Sequence, residues 1–286
     1  MIGFKHAGPE DKAEIIAISK KIWDGHDYVS TVYDKWVADI DGFFVCVTYD
    51  SAIAGFAKVS MHGDNDAWLE GLRVDPSKRG LGLGKQLTRY CIERCLNRHI
   101  ENIRLSTYIG NHESIGIIES HGFKRVAEYK ALFRPINPCE ATPACYQTLS
   151  DPSLVEAALS GEALGEFYGY ASFDFTFEKI TPRLLKCLVS EGAVYGLCID
   201  GRIQGMAIAS TRHSKVSALF LSYIQGEEHY SALIDAAIAR AESLMVEEII
   251  AMCPKNTALR DSLVNKGFGE WDDHDTNIFL YEYVGK

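Results

Sequence analysis

The chain has 286 residues, 47% of them apolar and 24% charged, which is the balance of a globular protein with room for two domains. Its formal net charge of −10 argues against a general nucleic-acid binder, because phosphate contacts need clustered Lys and Arg. No apolar run approaches the roughly 18 residues of a transmembrane helix, and the first residues lack the pattern of a signal peptide. We therefore expect a cytoplasmic protein without a nucleic-acid or membrane partner.

The first half of the chain alternates strands and helices. In chain order, the predicted elements are strand 2–7, helix 9–23, helix 28–40, strands 43–50, 52–63 and 66–74, helix 84–98, strand 102–108, helix 112–121 and closing strands within 122–136. This order predicts an α/β (α+β) fold whose sheet is mixed, mostly antiparallel and flanked by helices.

A linker is predicted in the middle of the chain. Residues 135–152 hold four prolines and no clear periodicity. The expected domains are therefore 1–135 and 153–286, joined by a linker at 136–152. The eight cysteines form no CxxC pair and lack the spacing of a zinc site, so we expect reduced thiols and no metal.

Beyond the linker the pattern of the first half starts again. Residues 195–210 echo 44–60, with Gly205 at the position of Gly55, an offset of 150 residues. Residues 256–268 echo 111–123 at an offset of 145, and both segments run from Asn to Gly-Phe. Two matches in the same order predict an internal duplication.

The stretch "RGLGLGKQ" at 79–86 follows a predicted strand and opens a predicted helix. It fits neither the P-loop nor the dinucleotide fingerprint. The first turn of a helix leaves N–H groups unpaired at the positive end of the dipole, and glycines let a pyrophosphate approach them closely. Arg79 and Lys85 add positive charge, so the stretch predicts a pyrophosphate site.

These residues resemble a known family. Arg79 to Gly84, after "LRVDPSK", resembles the acetyl-CoA loop of the GNAT acyltransferase superfamily. Asn111, Ser114 and the Gly-Phe at 122–123 resemble its later motif, in which an Asn and a small residue flank the pantetheine arm. The resemblance covers about residues 2–134 and implies acetyl-CoA (coenzyme A) as cofactor. The cofactor-binding residues that it implies are Leu72, Arg73, Val74, Arg79, Gly80, Leu81, Gly82, Leu83, Gly84, Lys85, Asn111 and Ser114.

The second copy lacks the glycine loop. It has "IQGEEHYSA" at the equivalent place, with Glu227 and Glu228 where phosphates would bind, and their charge would repel them. The chain thus resembles two tandem GNAT-like domains, of which the N-terminal one is catalytic and the C-terminal one is degenerate.

Candidate catalytic residues follow from the same resemblance. In GNAT enzymes a carboxylate on the strand before the loop often acts as base, and Glu70 lies there between apolar neighbours that favour a raised pKa. The family's usual acid, a Tyr, is replaced by Ile118. Tyr108 is the substitute from a neighbouring strand. A water acting as acid and a thiolate that leaves unprotonated are the alternatives.

The segment between the first two helices lines the acceptor site in this family. Trp23, His26, Asp27 and Tyr28 are the candidates to hold an amine, by cation–π contact and carboxylate pairing. Aromatic residues at helical spacing are, however, more often found in the core.

The leading interpretation is an N-acetyltransferase for the amine of a small molecule, an amino acid or a related metabolite. One alternative is a protein N-terminal or lysine acetyltransferase, which a second domain over the cleft would hinder. The other is a non-catalytic acyl-CoA sensor, which Ile118 in place of Tyr favours. The sequence leaves a homodimer open.

Overall fold

The computed structural model describes residues 1–63, 65–136, 146–159 and 161–285. The chain forms two compact units. The N-terminal unit comprises Met1–Thr107, Asn111–Arg125 and Leu280–Lys286, and the C-terminal unit comprises Tyr108–Gly110 and Val126–Phe279. Most of the predicted linker, residues 137–145, lies outside the described residues. The domain division at 1–135, 136–152 and 153–286 stays a prediction, which differs from the compact units chiefly at 126–135 and 280–286.

The elements of the N-terminal part follow the predicted order. They are β1 (Ile2–His6), α1 (Lys12–Ser19), α2 (Val29–Ala38), β2 (Phe43–Tyr49), β3 (Ala52–Met61), β4 (Asp66–Val74), α3 (Leu83–Asn97), β5 (Asn102–Tyr108), α4 (His112–Ser120) and β6 (Phe123–Pro135). The predicted helix 9–23 is broken into a 3₁₀ turn at Pro9–Asp11, helix α1 and a second 3₁₀ turn at Trp23–Gly25. The break has a backbone cause, since Trp23 and Asp24 both have positive φ angles.

The sheet of the N-terminal unit runs in the order β1-β2-β3-β4-β5, followed by the end of the last strand of the chain, β15 (Ile278–Tyr283). The pairs from β1 to β4 are antiparallel, and β4 pairs with β5 in parallel. The prediction of a mixed, mostly antiparallel sheet flanked by helices is therefore confirmed.

The two faces of this sheet carry different helices. Helices α1 and α2 bury their apolar side chains against the face that carries Phe44 and Phe56, where Tyr33 and Trp36 complete an aromatic cluster. Helix α3 packs on the opposite face, against Val74 and Leu72. The site described below lies where β4 ends between these two layers.

The C-terminal unit repeats this plan with additions. Its further elements are β7 (Gln147–Thr148), α5 (Pro152–Ala158), α6 (Gly161–Glu166), β8 (Tyr170–Phe173), β9 (Thr176–Lys179), α7 (Pro182–Ser190), β10 (Val194–Ile199), β11 (Arg202–Ser210), β12 (Ala218–Gln225), α8 (Tyr230–Ser243), β13 (Glu248–Cys253), α9 (Thr257–Asn265) and β14 (Gly269–Glu270). The strand order is β6-β13-β12-β11-β10-β7, and β8 and β9 form a separate hairpin.

Local geometry recurs where the sequence repeat predicts it. Gly55 pairs with Val47, and the β2–β3 register shifts at the next residue of β2. In the second unit Gly205 pairs with Leu197, and the β10–β11 register shifts after that residue too. The Asn residues of the second repeat also agree, since Asn111 caps α4 and Asn256 caps α9 through their side-chain oxygens. Both hairpins and both caps therefore have the same construction.

Two further features concern the helices and the cysteines. No helix among the described residues is long and apolar enough to cross a membrane. Six described cysteines are free thiols, namely Cys46, Cys91, Cys95, Cys187, Cys198 and Cys253.

Candidate active site

The glycine loop before α3 is open. Gly80 and Gly82 have φ angles of +80° and +71°, and a Cβ atom built on either would meet nothing within 4 Å. Gly82 is the N-cap of α3 and no side chain caps the helix, whose first hydrogen bond joins the Gln86 N–H to the Gly82 carbonyl at 3.1 Å. The N–H groups of the first turn therefore lie beside an open loop, at the positive end of the helix dipole. This loop fits the pyrophosphate of coenzyme A.

The other loop residues divide into exposed and packed ones. Arg79, Leu81 and Lys85 are exposed. Leu83 is buried, and a Cβ on Gly84 would lie 3.2 Å from Ile117 of α4 and 3.7 Å from Val74 of β4. Gly84 therefore lets α3 approach α4 and β4 closely, which is a packing task separate from ligand binding.

The pairing of β4 with β5 ends early. Among the described residues their parallel ladder runs only from Asp66–Asn102 to Trp68–Arg104. Beyond it, residues 69–74 of β4 pair with β3 alone. One edge of β4 thus has backbone N–H and C=O groups that no β5 ladder uses, just before the glycine loop. Such an edge suits the amide groups of an extended pantetheine arm, and the predicted segment Leu72–Val74 lies along it.

A β-bulge in β4 decides which side chains share a face. Phe56 pairs with Arg73 and Lys58 pairs with Glu70, so one residue of β3 faces two of β4, Gly71 and Leu72. Because side chains alternate along a regular strand, residues three apart would lie on opposite faces. The extra residue places Glu70 and Arg73 on the same face, the one covered by α1 and α2.

Gly71 makes the bulge possible. Its φ angle is +64°, and a Cβ there would lie 2.4 Å from the Trp36 ring. Sequence reasoning missed the bulge, although a glycine inside the predicted strand "WLEGLRV" is its usual signal.

Glu70 is a half-buried carboxylate held by its neighbours. Its Oε1 accepts a hydrogen bond from the Ser60 hydroxyl at 2.7 Å. Lys58, opposite in register, is buried, donates to the Asp39 carboxylate and also donates to the Val59 carbonyl at 2.7 Å. Burial lowers the pKa of the Lys58 ammonium, while the Asp39 and Glu70 carboxylates oppose that effect. A carboxylate placed in this way can accept a proton from a bound amine.

The predicted acid and the later motif take the following positions. Ile118, at the family's tyrosine position, is buried in the core. Tyr108 is 37% exposed and belongs to the C-terminal unit, where its ring lies edge-on to Trp271 at 6.1 Å. Partial desolvation, followed by the Asp272 carboxylate, raises the pKa of its phenol. The Asn111 side chain accepts from the Ser114 N–H at 3.3 Å, which is a helix-capping bond.

Three of the four predicted acceptor residues surround Arg73. Asp27 is buried, and its oxygens accept from Arg73 Nη2 at 3.0 Å, Arg73 Nε at 3.2 Å and the Ser19 hydroxyl at 2.8 Å. The Arg73 guanidinium lies 4.2 Å from the Trp23 ring centroid and 5.7 Å from that of Tyr28. His26 is exposed. The Asp27 carboxylate expected to pair with an amine is thus already occupied, and the Arg73 side chain points to the acceptor loop instead of the phosphates.

Sequence reasoning could not find this ion pair. Asp27 and Arg73 are 46 residues apart, and each was assigned to a different ligand. Only the bulge in β4 brings them together on one face, and the bulge depends on the β3–β4 register.

Among its described residues, the C-terminal unit has no open space between β12 and α8, the place that corresponds to the glycine loop before α3. Between β12 and α8 it has only Gly226 and a 3₁₀ turn, Glu227–His229. A Cβ on Gly226 would lie 2.9 Å from the Gln204 carbonyl oxygen and from the Gly205 Cα, so this turn lies directly on β11. There is no open glycine cradle here, in contrast to Gly80 and Gly82 of the N-terminal unit.

Comparison with known proteins gives a consistent result. Residues 12–123 match the family model described as the Acetyltransferase (GNAT) family. A histidine N-acetyltransferase of Xenopus tropicalis is 36% identical over 97 residues, which are 34% of this chain and 30% of that protein. One of Oreochromis niloticus is 34% identical over 99 residues, 34% of this chain and 29% of that protein. The chain thus matches less than a third of the length of these curated relatives.

A solved structure resembles the whole chain. The GCN5-related N-acetyltransferase of Sphaerobacter thermophilus has a TM-score of 0.65 at 15% identity, and the match covers 98% of this chain and 95% of that chain. At this identity the similarity concerns the fold alone.

Proposed function

Because residues 12–123 form a GNAT family domain, we propose that this chain is an acetyl-CoA-dependent N-acetyltransferase for the amine of a small molecule, an amino acid or a related metabolite. The observation that carries the proposal is the open loop, in which Gly80 and Gly82 leave the first N–H groups of α3 accessible. Its local architecture is what an anionic, pyrophosphate-bearing cofactor needs.

Several groups of the N-terminal unit would hold the cofactor. The loop glycines and the first turn of α3 bind the pyrophosphate, with Arg79 and Lys85 as cations at the rim. The free edge of β4 at Leu72–Val74 binds the pantetheine amides through its backbone. Asn111 and Ser114 flank the arm at the start of α4. Acetyl-CoA supplies an acetyl group activated as a thioester.

Glu70 is the proposed base. It takes a proton from the acceptor amine, directly or through one water, and Ser60 keeps its carboxylate oriented. Tyr108 is the proposed acid, because it offers a phenol in place of the family's tyrosine and is protonated at neutral pH, as an ordinary tyrosine is. Since Ile118 offers no proton, the departing thiolate takes one from another residue or from water, or leaves unprotonated.

The acceptor class is supported by the relatives. Two relatives are named histidine N-acetyltransferases, which favours a small amine of the amino-acid kind.

The catalytic N-terminal domain and the degenerate C-terminal domain are proposed as a tandem pair, since the second unit repeats the strand plan without the open glycine loop. Free thiols support a cytoplasmic setting.

The proposal is tested by CoA release from acetyl-CoA, followed with a thiol reagent. The acceptor panel holds free amino acids, polyamines, aminoglycosides and short peptides. The informative variant is Gly82→Asp, which places a carboxylate in the pyrophosphate space. Its matched control is Gly201→Asp, because Gly201 has a similar φ angle of +74° and equally open surroundings in a hairpin of the other unit. We expect release with one acceptor class, loss in Gly82→Asp and no change in Gly201→Asp.

Other outcomes point elsewhere. A preference for peptides would identify a polypeptide acetyltransferase. Acetyl-CoA binding without release on any acceptor would favour the sensor. Neither binding nor release in the wild-type protein would contradict the proposal.

A further inference from the structure

Trp23 is an exposed indole on a backbone that is held in an unusual conformation. The residue is 57% exposed. Trp23 and Asp24 have φ angles of 48° and 53°, followed by Gly25 at 88°. Left-handed conformations are unfavourable for non-glycine residues and persist where surrounding contacts impose them. Here the Gly25 and His26 N–H groups donate to the carbonyls of Ile22 and Trp23, each at 3.0 Å.

One face of this indole is already occupied. The Arg73 guanidinium stacks on it at 4.2 Å, and Asp27 holds that guanidinium by two hydrogen bonds. Arg73 Nη1 donates further to the Leu72 carbonyl at 3.0 Å. The Arg73 side chain, which is itself held by these hydrogen bonds, therefore fixes the indole on one face. The exposed area of the indole lies on the surface that Arg73 does not cover. An aromatic surface ordered in advance binds a ligand at a lower entropic cost.

The bulge sets the distance between this surface and the proposed base. Glu70 and Arg73 lie on one face, opposite Lys58 and Phe56 of β3. Two residues of a strand span about 7 Å, so Arg73 follows Glu70 by roughly that distance along the sheet. An acceptor whose amine reaches Glu70 would extend its next few bonds toward Trp23.

The charge behind the ring selects the kind of group that stacks in front of it. A guanidinium on one face draws on the negative quadrupole of the indole. A second cation on the other face would also be repelled by Arg73 through the ring. A neutral planar group neither competes with Arg73 for the ring quadrupole nor is repelled by its charge, and it gains the stacking contact.

We propose that Trp23 is a stacking platform for a neutral aromatic or heteroaromatic ring that lies two or three bonds from the acceptor amine, and that Arg73 and Asp27 are its positioning residues. This rests on the proposed N-acetyltransferase function, and it narrows the acceptor to arylalkylamines and aromatic amino acids.

The test compares two amines with the same carbon skeleton. 2-Phenylethylamine carries a planar ring, and 2-cyclohexylethylamine carries a puckered one. We expect the wild-type kcat/KM for the planar amine to be higher by about twofold to tenfold, the range of one aromatic stack. Trp23→Leu should bring the ratio of the two kcat/KM values near one. Tyr168→Leu is the control, because it removes another partly exposed aromatic ring that has no part in the proposed site, and it should leave the ratio unchanged.

Arg73→Lys separates the positioning role from cofactor binding. Lysine keeps the charge but loses the two-pronged bond to Asp27 and the flat stacking surface. We expect a several-fold rise in KM for 2-phenylethylamine, with kcat and the KM for acetyl-CoA retained. A raised KM for acetyl-CoA with an unchanged amine ratio would overturn the positioning role of Arg73.

Failure of the platform and failure of the proposed function are distinguishable. Turnover of other acceptors, with an amine ratio of one in the wild type, would overturn the platform and leave the function standing. If no acceptor is turned over, titration calorimetry of both amines decides. Preferential binding of the planar amine that is lost in Trp23→Leu supports the platform, and equal or absent binding overturns it.

Discussion

The chemistry of Glu70 is set by three neighbours from β3 and the end of α2. Ser60 fixes one carboxylate oxygen, and the buried Lys58 places a cation opposite it in register. Asp39 pairs with Lys58 and compensates that charge in a partly buried setting. A lone carboxylate on a strand face has many roles open to it, whereas one held by a hydroxyl beside a compensated cation is oriented for proton transfer.

Glu70→Gln tests this role at the scale of one atom. The amide has nearly the same shape and keeps a hydrogen bond with Ser60, but it cannot accept the proton. We expect kcat to fall by about 100-fold or more, the usual contribution of a general base, with the Kd for acetyl-CoA unchanged. Ser60→Ala should cost less, since the base remains and loses only its orientation. Steady-state kinetics and calorimetry measure both quantities.

Other effects of Glu70→Gln on kcat and on acetyl-CoA affinity would assign Glu70 a different role. If Glu70→Gln weakened acetyl-CoA binding and left kcat intact, Glu70 would belong to the cofactor site. If neither changed, another group would be the base.

At the scale of elements, the order of strands and helices was predictable because periodicity and caps are local. The break between the predicted strands 43–50 and 52–63 and the start of the predicted helix 112–121 are examples, since each depends on residues a few positions apart. The bulge at Gly71 and the Asp27–Arg73 pair were not predictable in the same way. Both depend on the register between strands and on the loop that packs over them, which no local pattern specifies.

Gly71→Ala tests whether the bulge depends on this glycine. Alanine at a φ of +64° is strained, and its Cβ would lie 2.4 Å from the Trp36 ring. We expect a loss of about 2–4 kcal/mol in the free energy of unfolding, combining left-handed strain with overpacking. Gly116→Ala, in α4 with nothing within 4 Å of its Cβ and no positive φ, should be neutral or stabilising.

The packing share of that loss can be isolated in a double-mutant cycle. Trp36→Phe removes the ring atoms that the new Cβ meets, so it should cost less stability in Gly71→Ala than in the wild type. Urea denaturation of the four proteins gives the coupling energy. Purely additive losses would show that the ring contact is not the cause.

At the scale of the whole molecule, the last residues of the chain belong to the N-terminal unit. Residues 280–286 were expected in the C-terminal domain because they are contiguous with it in sequence. In the structure the Tyr281 hydroxyl donates to Glu119 at 2.9 Å, and the Val284 N–H donates to the Gly122 carbonyl at 3.1 Å. The Phe123 and Tyr283 rings lie 5.5 Å apart. Sequence order alone cannot reveal a strand that returns to a distant unit.

This arrangement predicts that acetyl-CoA binding requires residues that lie far from the glycine loop in sequence. Deleting residues 280–286 removes a strand beside β5 and the contacts that hold α4 and the start of β6. Because small units lose cooperative stability when a paired strand is removed, we expect the N-terminal unit to unfold at a markedly lower temperature and to lose acetyl-CoA binding. Tyr281→Phe, which removes the hydroxyl that donates to Glu119, should cost about 1 kcal/mol and keep the binding. Thermal denaturation and calorimetry compare the two variants. A truncated chain that still bound acetyl-CoA with wild-type affinity would show that residues 12–123 fold without the returning strand.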